Sequence, residues 1–273
     1  MSDKETGQIK DKAGEAYWTQ YWQSVTIPPL LEPHHSGAAH FQTRQYHAFI
    51  RSVMPTNMRG KKVLEIGCAN SVWLPYFHRE FGMELYGLDY SDTGCEMERR
   101  LLENHHIPGT IIHGDFYYPP AELEGQMDMV VSMGVVEHFT DTAEVIRAFA
   151  RYLKPGGLLL TTMPNMAGVT GVLQKWFYRP VYDIHVPVTL ANIETAATRA
   201  GMENIAGEYG LTPSFYGVLH STEGRATPYY LKWAVNKGLI YLTKLCWWIQ
   251  TKTTPWPKHA FWSASIFHLC RKP

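Results

Sequence analysis

Residues 63–70 read Val-Leu-Glu-Ile-Gly-Cys-Ala-Asn. An apolar run containing one acidic residue meets a glycine and then a helical pattern, so the text reads as strand, turn and helix. Roughly twenty residues on, a second strand, Glu84-Leu85-Tyr86-Gly87-Leu88, ends at Asp89. This order suits a nucleoside. Gly67 has no Cβ and lets backbone approach a ligand closely. Asp89 stands where a carboxylate can accept hydrogen bonds from ribose hydroxyls.

Outward from this stretch, strand and helix alternate between Gly60 and about Gly210. Strands are predicted at 62–66, 84–88, 110–113, 127–132, 157–163 and 204–209. Helices are predicted at 71–81, 92–105, 142–152 and 189–200, with Ser91, Asp141 and Thr189 as capping residues. Lys154-Pro155-Gly156-Gly157 stops one helix and turns into the next strand. Such alternation predicts an α/β fold with helices on both faces of a largely parallel sheet. A last strand is predicted at 260–270.

Composition narrows the function classes. Apolar residues make up 45% and charged residues 18% of the 273 residues, enough for one good core. Lys+Arg and Asp+Glu balance at 25 each, so no basic field points to nucleic acid. Cys68, Cys95, Cys246 and Cys270 form no CxxC pair and no zinc spacing, which reads as reduced thiols in a cytoplasmic protein. The polar start, Met1-Ser2-Asp3-Lys4-Glu5, carries no signal-peptide stretch, and residues 1–16 are expected to fray.

Five signatures in order, Val63–Cys68, Gly87-Leu88-Asp89-Tyr90-Ser91, Gly114-Asp115-Phe116, Asp128 through Glu137-His138-Phe139, and Leu153–Gly157, resemble the Rossmann-like (class I) S-adenosylmethionine-dependent methyltransferases. The likeness covers roughly residues 60–210. Tyr17-Trp18, Val136–Phe139 and Met163-Pro164-Asn165 resemble members from small-molecule, polysaccharide and lipid-linked sugar pathways. The resemblance implies a doubly wound seven-stranded sheet with its last strand antiparallel, and S-adenosyl-L-methionine as cofactor. It implies that Glu65, Gly67, Cys68, Ala69 and Asn70 form the methionine-side loop, that Asp89 and Tyr90 serve the ribose, and that Asp115, Phe116 and Met133 flank the adenine and methionine portions. Arg44 is implied near the cofactor carboxylate. The usual G-x-G-x-G turn keeps only its first glycine here, in Gly67-Cys68-Ala69-Asn70-Ser71. Asn70 tolerates the left-handed region better than most residues, so a slightly altered loop is expected.

For chemistry, the resemblance implies methyl transfer by in-line displacement, with an oxygen acceptor preferred. A hydroxyl must lose a proton, so a base is sought at the carboxyl ends of the strands. His185, with Asp183 as orienting partner, is the first candidate, and His138 the second. A nitrogen or carbon acceptor, a quinone-like or natural-product substrate, and a binding-only protein stay open as alternatives. No metal-ligand spacing is seen.

Four segments are expected: an N-terminal helical cap (1–58), the cofactor-binding core (59–210), a helical lid or insertion (211–259) and the final core strand (260–273). In the insertion, 228–251 is an apolar helical pattern carrying Lys232, Lys237 and Lys244, with Lys252 just beyond. Because Trp233, Ile240 and Trp247 interrupt the lysine side, this helix is read as packing on protein rather than resting on a membrane.

Overall fold

In the computed structural model, residues 11–210, 213–215, 229–253 and 256–273 are described. Residues 1–10, Pro228 and most of 211–228 lie outside them. The strands are β1 (Lys62–Ile66), β2 (Glu84–Asp89), β3 (Gly109–His113), β4 (Met127–Met133), β5 (Leu153–Pro164), β6 (Glu203–Gly210) and β7 (Ser265–Arg271). They form one sheet in the order β3-β2-β1-β4-β5-β7-β6. All pairings are parallel except those of β7, which runs antiparallel to β5 and β6. The chain winds from β1 outward to β3 and then returns to place β4 on the other side of β1. That reversal opens a crevice at the carboxyl ends of β1 and β4.

Helices are α1 (Glu15–Gln23), α2 (Phe41–Val53), α3 (Trp73–Phe81), α4 (Asp92–Asn104), α5 (Thr142–Ala150), α6 (Val169–Phe177), α7 (Arg179–Asp183), α8 (Leu190–Arg199) and α9 (Tyr229–Lys252). Successive strand residues point to opposite faces, so each strand feeds two cores. Leu64 and Val130 join Val145, Phe149 and Ile193 on one side. Val63, Met129 and Val131 join Phe49, Ile50, Leu74 and Leu101 on the other. Both faces being buried explains the nearly unbroken apolar text of β1 and β4.

The predicted caps hold. Ser91 Oγ accepts from Gly94 N at 3.2 Å, Asp141 Oδ1 accepts from Glu144 N at 3.1 Å, and Thr189 forms a capping box with Asn192. Four expectations are corrected. Lys154–Gly157 lies inside β5, which bulges as its pairing shifts from Leu153↔Met127 to Leu158↔Met129. Helices α6 and α7 occupy a stretch in which no element was expected. The last strand starts at Ser265 rather than near 260. Finally, residues 11–14 do not fray: Asp11 pairs with Phe139, and Lys12 N donates to His138 O at 2.9 Å.

Candidate active site

The crevice holds a cavity of about 260 Å³. Its floor is the turn after β1. Gly67 has φ 78° and Asn70 φ 52°, both left-handed. Ala69 and Ser71 are not among the positive-φ residues, so the loop follows its course with one glycine and one asparagine. Gly94 on α4 lets Ala69 sit close, since a Cβ there would lie 2.4 Å from the Ala69 Cβ.

Asp89 closes the carboxyl end of β2. Its Oδ1 accepts from Ser91 N at 2.8 Å and its Oδ2 from Ala69 N at 3.1 Å. Each oxygen keeps acceptor capacity toward the cavity that both it and Ala69 line. Burial raises this carboxyl to about 6, against the two amide bonds that lower it. Beneath the loop, Ser71 Oγ donates to both Glu65 oxygens at 2.8 Å, while Ser71 N donates to Glu98 Oε2 at 2.7 Å. Burial pushes Glu65 to about 8 and Glu98 to about 9. Glu98 Oε1 is buried and has no hydrogen-bond partner.

Of the residues expected at the cofactor, Glu65, Gly67, Ala69, Asn70, Asp89, Tyr90, Phe116 and Met133 line the cavity, as does His138. Cys68 does not: it is fully buried, and its Sγ would lie 2.7 Å from a Cβ placed on Gly87. Asp115 turns outward and caps its own turn, accepting from Tyr117 N at 2.9 Å. Arg44 donates to the carbonyls of His35 and Gly37, both at 2.7 Å, and so braces the segment before α2. Trp73, Val135 and Phe139 complete the wall. Sequence reading passed over Trp73 and Val135 because apolar residues in a helix start or a loop carry no chemical signature. Trp18 and Trp22 stack at 5.7 Å and roof the cavity from α1.

The two histidines meet, but not as expected. His138 Nδ1 donates to Ile184 O at 2.9 Å, which leaves its other ring nitrogen with a lone pair. Burial lowers its affinity for a proton, against the backbone carbonyls of Ile184 and Gly134, which raise it. His185 is outside the cavity lining and its ring lies 4.6 Å from that of His138. Its Nδ1 donates to Val181 O at 2.5 Å, and burial, with His138 next, lowers it to about 4. Asp183 does not orient it: that carboxylate pairs with Arg179 at 2.7 Å. Glu137 sits beside them, buried and raised by that burial to about 8, with Oε2 unpartnered. No metal spacing was visible in the sequence, yet ligand atoms of Glu137, His138 and His185 all lie within 4.8 Å of one another. The fold assembles this group from two separate segments, which is why spacing could not show it.

A second cavity of about 310 Å³ shares Trp73, Met133 and Gly134 with the first. Tyr46, Thr162, Thr170, Gln174 and Ser265 give it hydroxyls and amides, and among the described residues no charged side chain lines it.

A family model described as a methyltransferase domain matches residues 38–206. A ubiquinone biosynthesis O-methyltransferase of Proteus mirabilis is 34% identical over 98 residues, 36% of this chain and 40% of that protein. Its counterpart from Thiobacillus denitrificans is 28% identical over 156 residues, 54% of this chain and 66% of that protein. The chain thus spans about half the length of the curated relatives it matches. Among solved structures, a Haemonchus contortus phosphoethanolamine N-methyltransferase in complex with S-adenosyl-L-methionine superposes with a TM-score of 0.58 at 21% identity, covering 84% of this chain and 52% of that one.

Proposed function

The chain belongs to the methyltransferase domain family, and from that premise we propose that it binds S-adenosyl-L-methionine and methylates a hydroxyl of a small-molecule acceptor. One observation carries this reading: two cavities meet at Met133, Gly134 and Trp73, one lined by Gly67, Asp89 and Phe116 and the other, among the described residues, by no charged side chain. The bound cofactor supplies an electrophilic methyl group on a sulfonium sulfur. Asp89 would hold the ribose, because both of its oxygens are fixed by backbone amides and still accept. Phe116, Tyr90 and Leu88 offer an apolar bed for the base. The loop 67–71 would face the methionine end. Trp18 and Trp22 would cover one side of the bound cofactor.

His138 is the chain's proton acceptor in this reading. It is neutral at pH 7, because burial lowers its proton affinity and a buried cation is costly. Its Nδ1–H is committed to Ile184, so the other nitrogen takes the acceptor's proton. His185 packs behind it and fixes its place. The lining of the second cavity, uncharged among the described residues, supports a neutral polyol, sugar or phenol over a cationic amine, since a charge taken from water there would find no counter-ion among them. Four free, buried cysteines agree with a reducing, cytoplasmic setting.

The test is calorimetry with S-adenosylmethionine against NAD, followed by transfer of labelled methyl to a panel of sugars, phenols and amines. Tight binding of S-adenosylmethionine with label on a hydroxyl acceptor is expected. Absence of binding removes the proposal. Binding without transfer to any acceptor turns it into a binding-only protein.

A further inference from the structure

Helix α9 holds to the body of the protein by one stripe. Thr243, Cys246, Trp247 and Gln250 are buried at helical spacing, and Trp247 stacks on Phe41 at 5.7 Å. The opposite side should then be polar. It is not: Tyr241, Leu245 and Trp248 are 68%, 51% and 55% exposed. Lys237 and Lys244 flank them and are themselves exposed. Trp247, which in the sequence interrupts the lysine side, belongs to the inner stripe. The expectation that this helix simply packs on protein therefore accounts for only one of its two apolar faces.

The neighbouring helix repeats the pattern. Val169 and Leu173 of α6 and Val235 and Leu239 of α9 all pack against Phe215. Thr170 and Gln174 of α6 line the second cavity. Two residues on from each, and so on the other side of the helix, stand Val172 and Trp176, the latter 81% exposed. Across α6 and α9 there are five lysines, Lys175, Lys232, Lys237, Lys244 and Lys252, and no aspartate or glutamate. The chain as a whole is neutral, so this is a local concentration of positive charge.

We propose that the outward faces of α6 and α9 dock on an anionic phospholipid surface. Aromatic rings and aliphatic groups enter the headgroup region while lysines meet lipid phosphates. Exposed tryptophan and tyrosine next to lysine is the composition of a membrane interface. A second protein copy fits less well, because lysine is depleted from the buried centres of protein interfaces. The contact lies on the surface rather than across it: among the described residues no helix is long and apolar enough to span a bilayer. On the proposed activity, such docking would set the wall of the acceptor cavity against the lipid, but the docking itself does not depend on that activity.

The experiment is co-sedimentation of the full chain with phosphatidylcholine vesicles, with and without phosphatidylglycerol. Partitioning onto the anionic vesicles should exceed that onto the neutral ones at least about tenfold. Lys237→Gln with Lys244→Gln should weaken it by about tenfold or more. Tyr241→Ser with Trp248→Ser should abolish the portion that survives high salt. Both pairs are exposed, and unchanged melting temperature and S-adenosylmethionine affinity would show that the variants fold. Equal partitioning onto both vesicle types, or none, overturns the proposal. So does a dimer in solution that the Tyr241→Ser, Trp248→Ser variant converts to monomer without changing vesicle binding.

Discussion

His138 stands between the first cavity and His185, the two imidazoles 4.6 Å apart and each with its Nδ1 held by a backbone carbonyl. The pair therefore has a direction. His138 faces the ligand space and His185 backs it. Both are poor proton binders, and protonating one makes protonating the other harder.

His138→Ala should lower turnover by about 10²–10⁴-fold, the usual share of a general base. His185→Ala should cost less, since it acts only through the position of His138. Its signature is a shift in the pH profile of kcat/KM, because removing its repulsion and packing changes the proton affinity of His138. Steady-state kinetics with labelled cofactor would measure both. Full activity in His138→Ala would sink the assignment.

Asp89→Ala should weaken S-adenosylmethionine binding through lost ribose hydrogen bonds, each charge-assisted bond contributing about 1.5–3 kcal/mol. The wild-type affinity should also depend on pH. With the carboxyl raised to about 6 by burial, acidification below that value protonates it and removes acceptor strength. Calorimetry from pH 5 to about 8 should show affinity rising with pH in the wild type and flat in Asp89→Asn. A flat wild-type profile would count against the ribose role.

How much of this was legible beforehand follows from what each residue answers to. Gly67 and Asp89 were readable because strand-end chemistry fixes them locally. Ser91, Asp141 and Thr189 were readable as caps for the same reason. Arg44 and His185 were misplaced because a side chain's reach depends on loops the sequence does not dimension. Arg44 found two carbonyls within its own segment. Helices α6 and α7 hid because Gly171 interrupts the short period of α6 and α7 is only 5 residues long, too short to show a period. Lys154–Gly157 has the composition of a turn, yet Gly156 at φ 78° allows a bulge that stays in the sheet, with Gly156 N donating to Lys272 O at 2.8 Å.

Stability should fall as pH rises above neutrality in the absence of cofactor. Burial raises Glu65 and Glu137 to about 8 and Glu98 to about 9, from an ordinary value of 4.5. Between those limits the folded chain holds protons that the unfolded chain has released, so each increase in pH favours unfolding. His185 and His268, lowered by burial to about 4, act with the opposite sign. Their contribution is full above about 6.5 and is lost as pH falls toward 4. The two sets oppose each other between about 4.5 and 6.5; beyond it the carboxyls act, joined near pH 9 with the same sign by the thiols of Cys95 and Cys270, which burial raises to about 12. Denaturant midpoints measured from pH 6.5 to about 9 should decline, and less steeply in Glu98→Gln. A midpoint that rises over this range would contradict the raised carboxyls.

Gly67 carries two separate constraints. Its φ of 78° is left-handed, and an ideal Cβ there would lie 2.4 Å from Val135 Cγ2. Gly67→Ala should therefore destabilise the fold by about 2–4 kcal/mol, part from the backbone and part from overlap. Val135→Ala removes the methyl group that would clash. In the double variant the overlap disappears and the backbone cost stays, so Val135→Ala should be less harmful on the Gly67→Ala background than alone, by about 1 kcal/mol or more. Equilibrium denaturation of the four proteins gives this coupling directly. Strict additivity would mean that Gly67 is held only by its backbone conformation, and the close approach of the β4 loop to the cofactor turn would no longer explain the glycine.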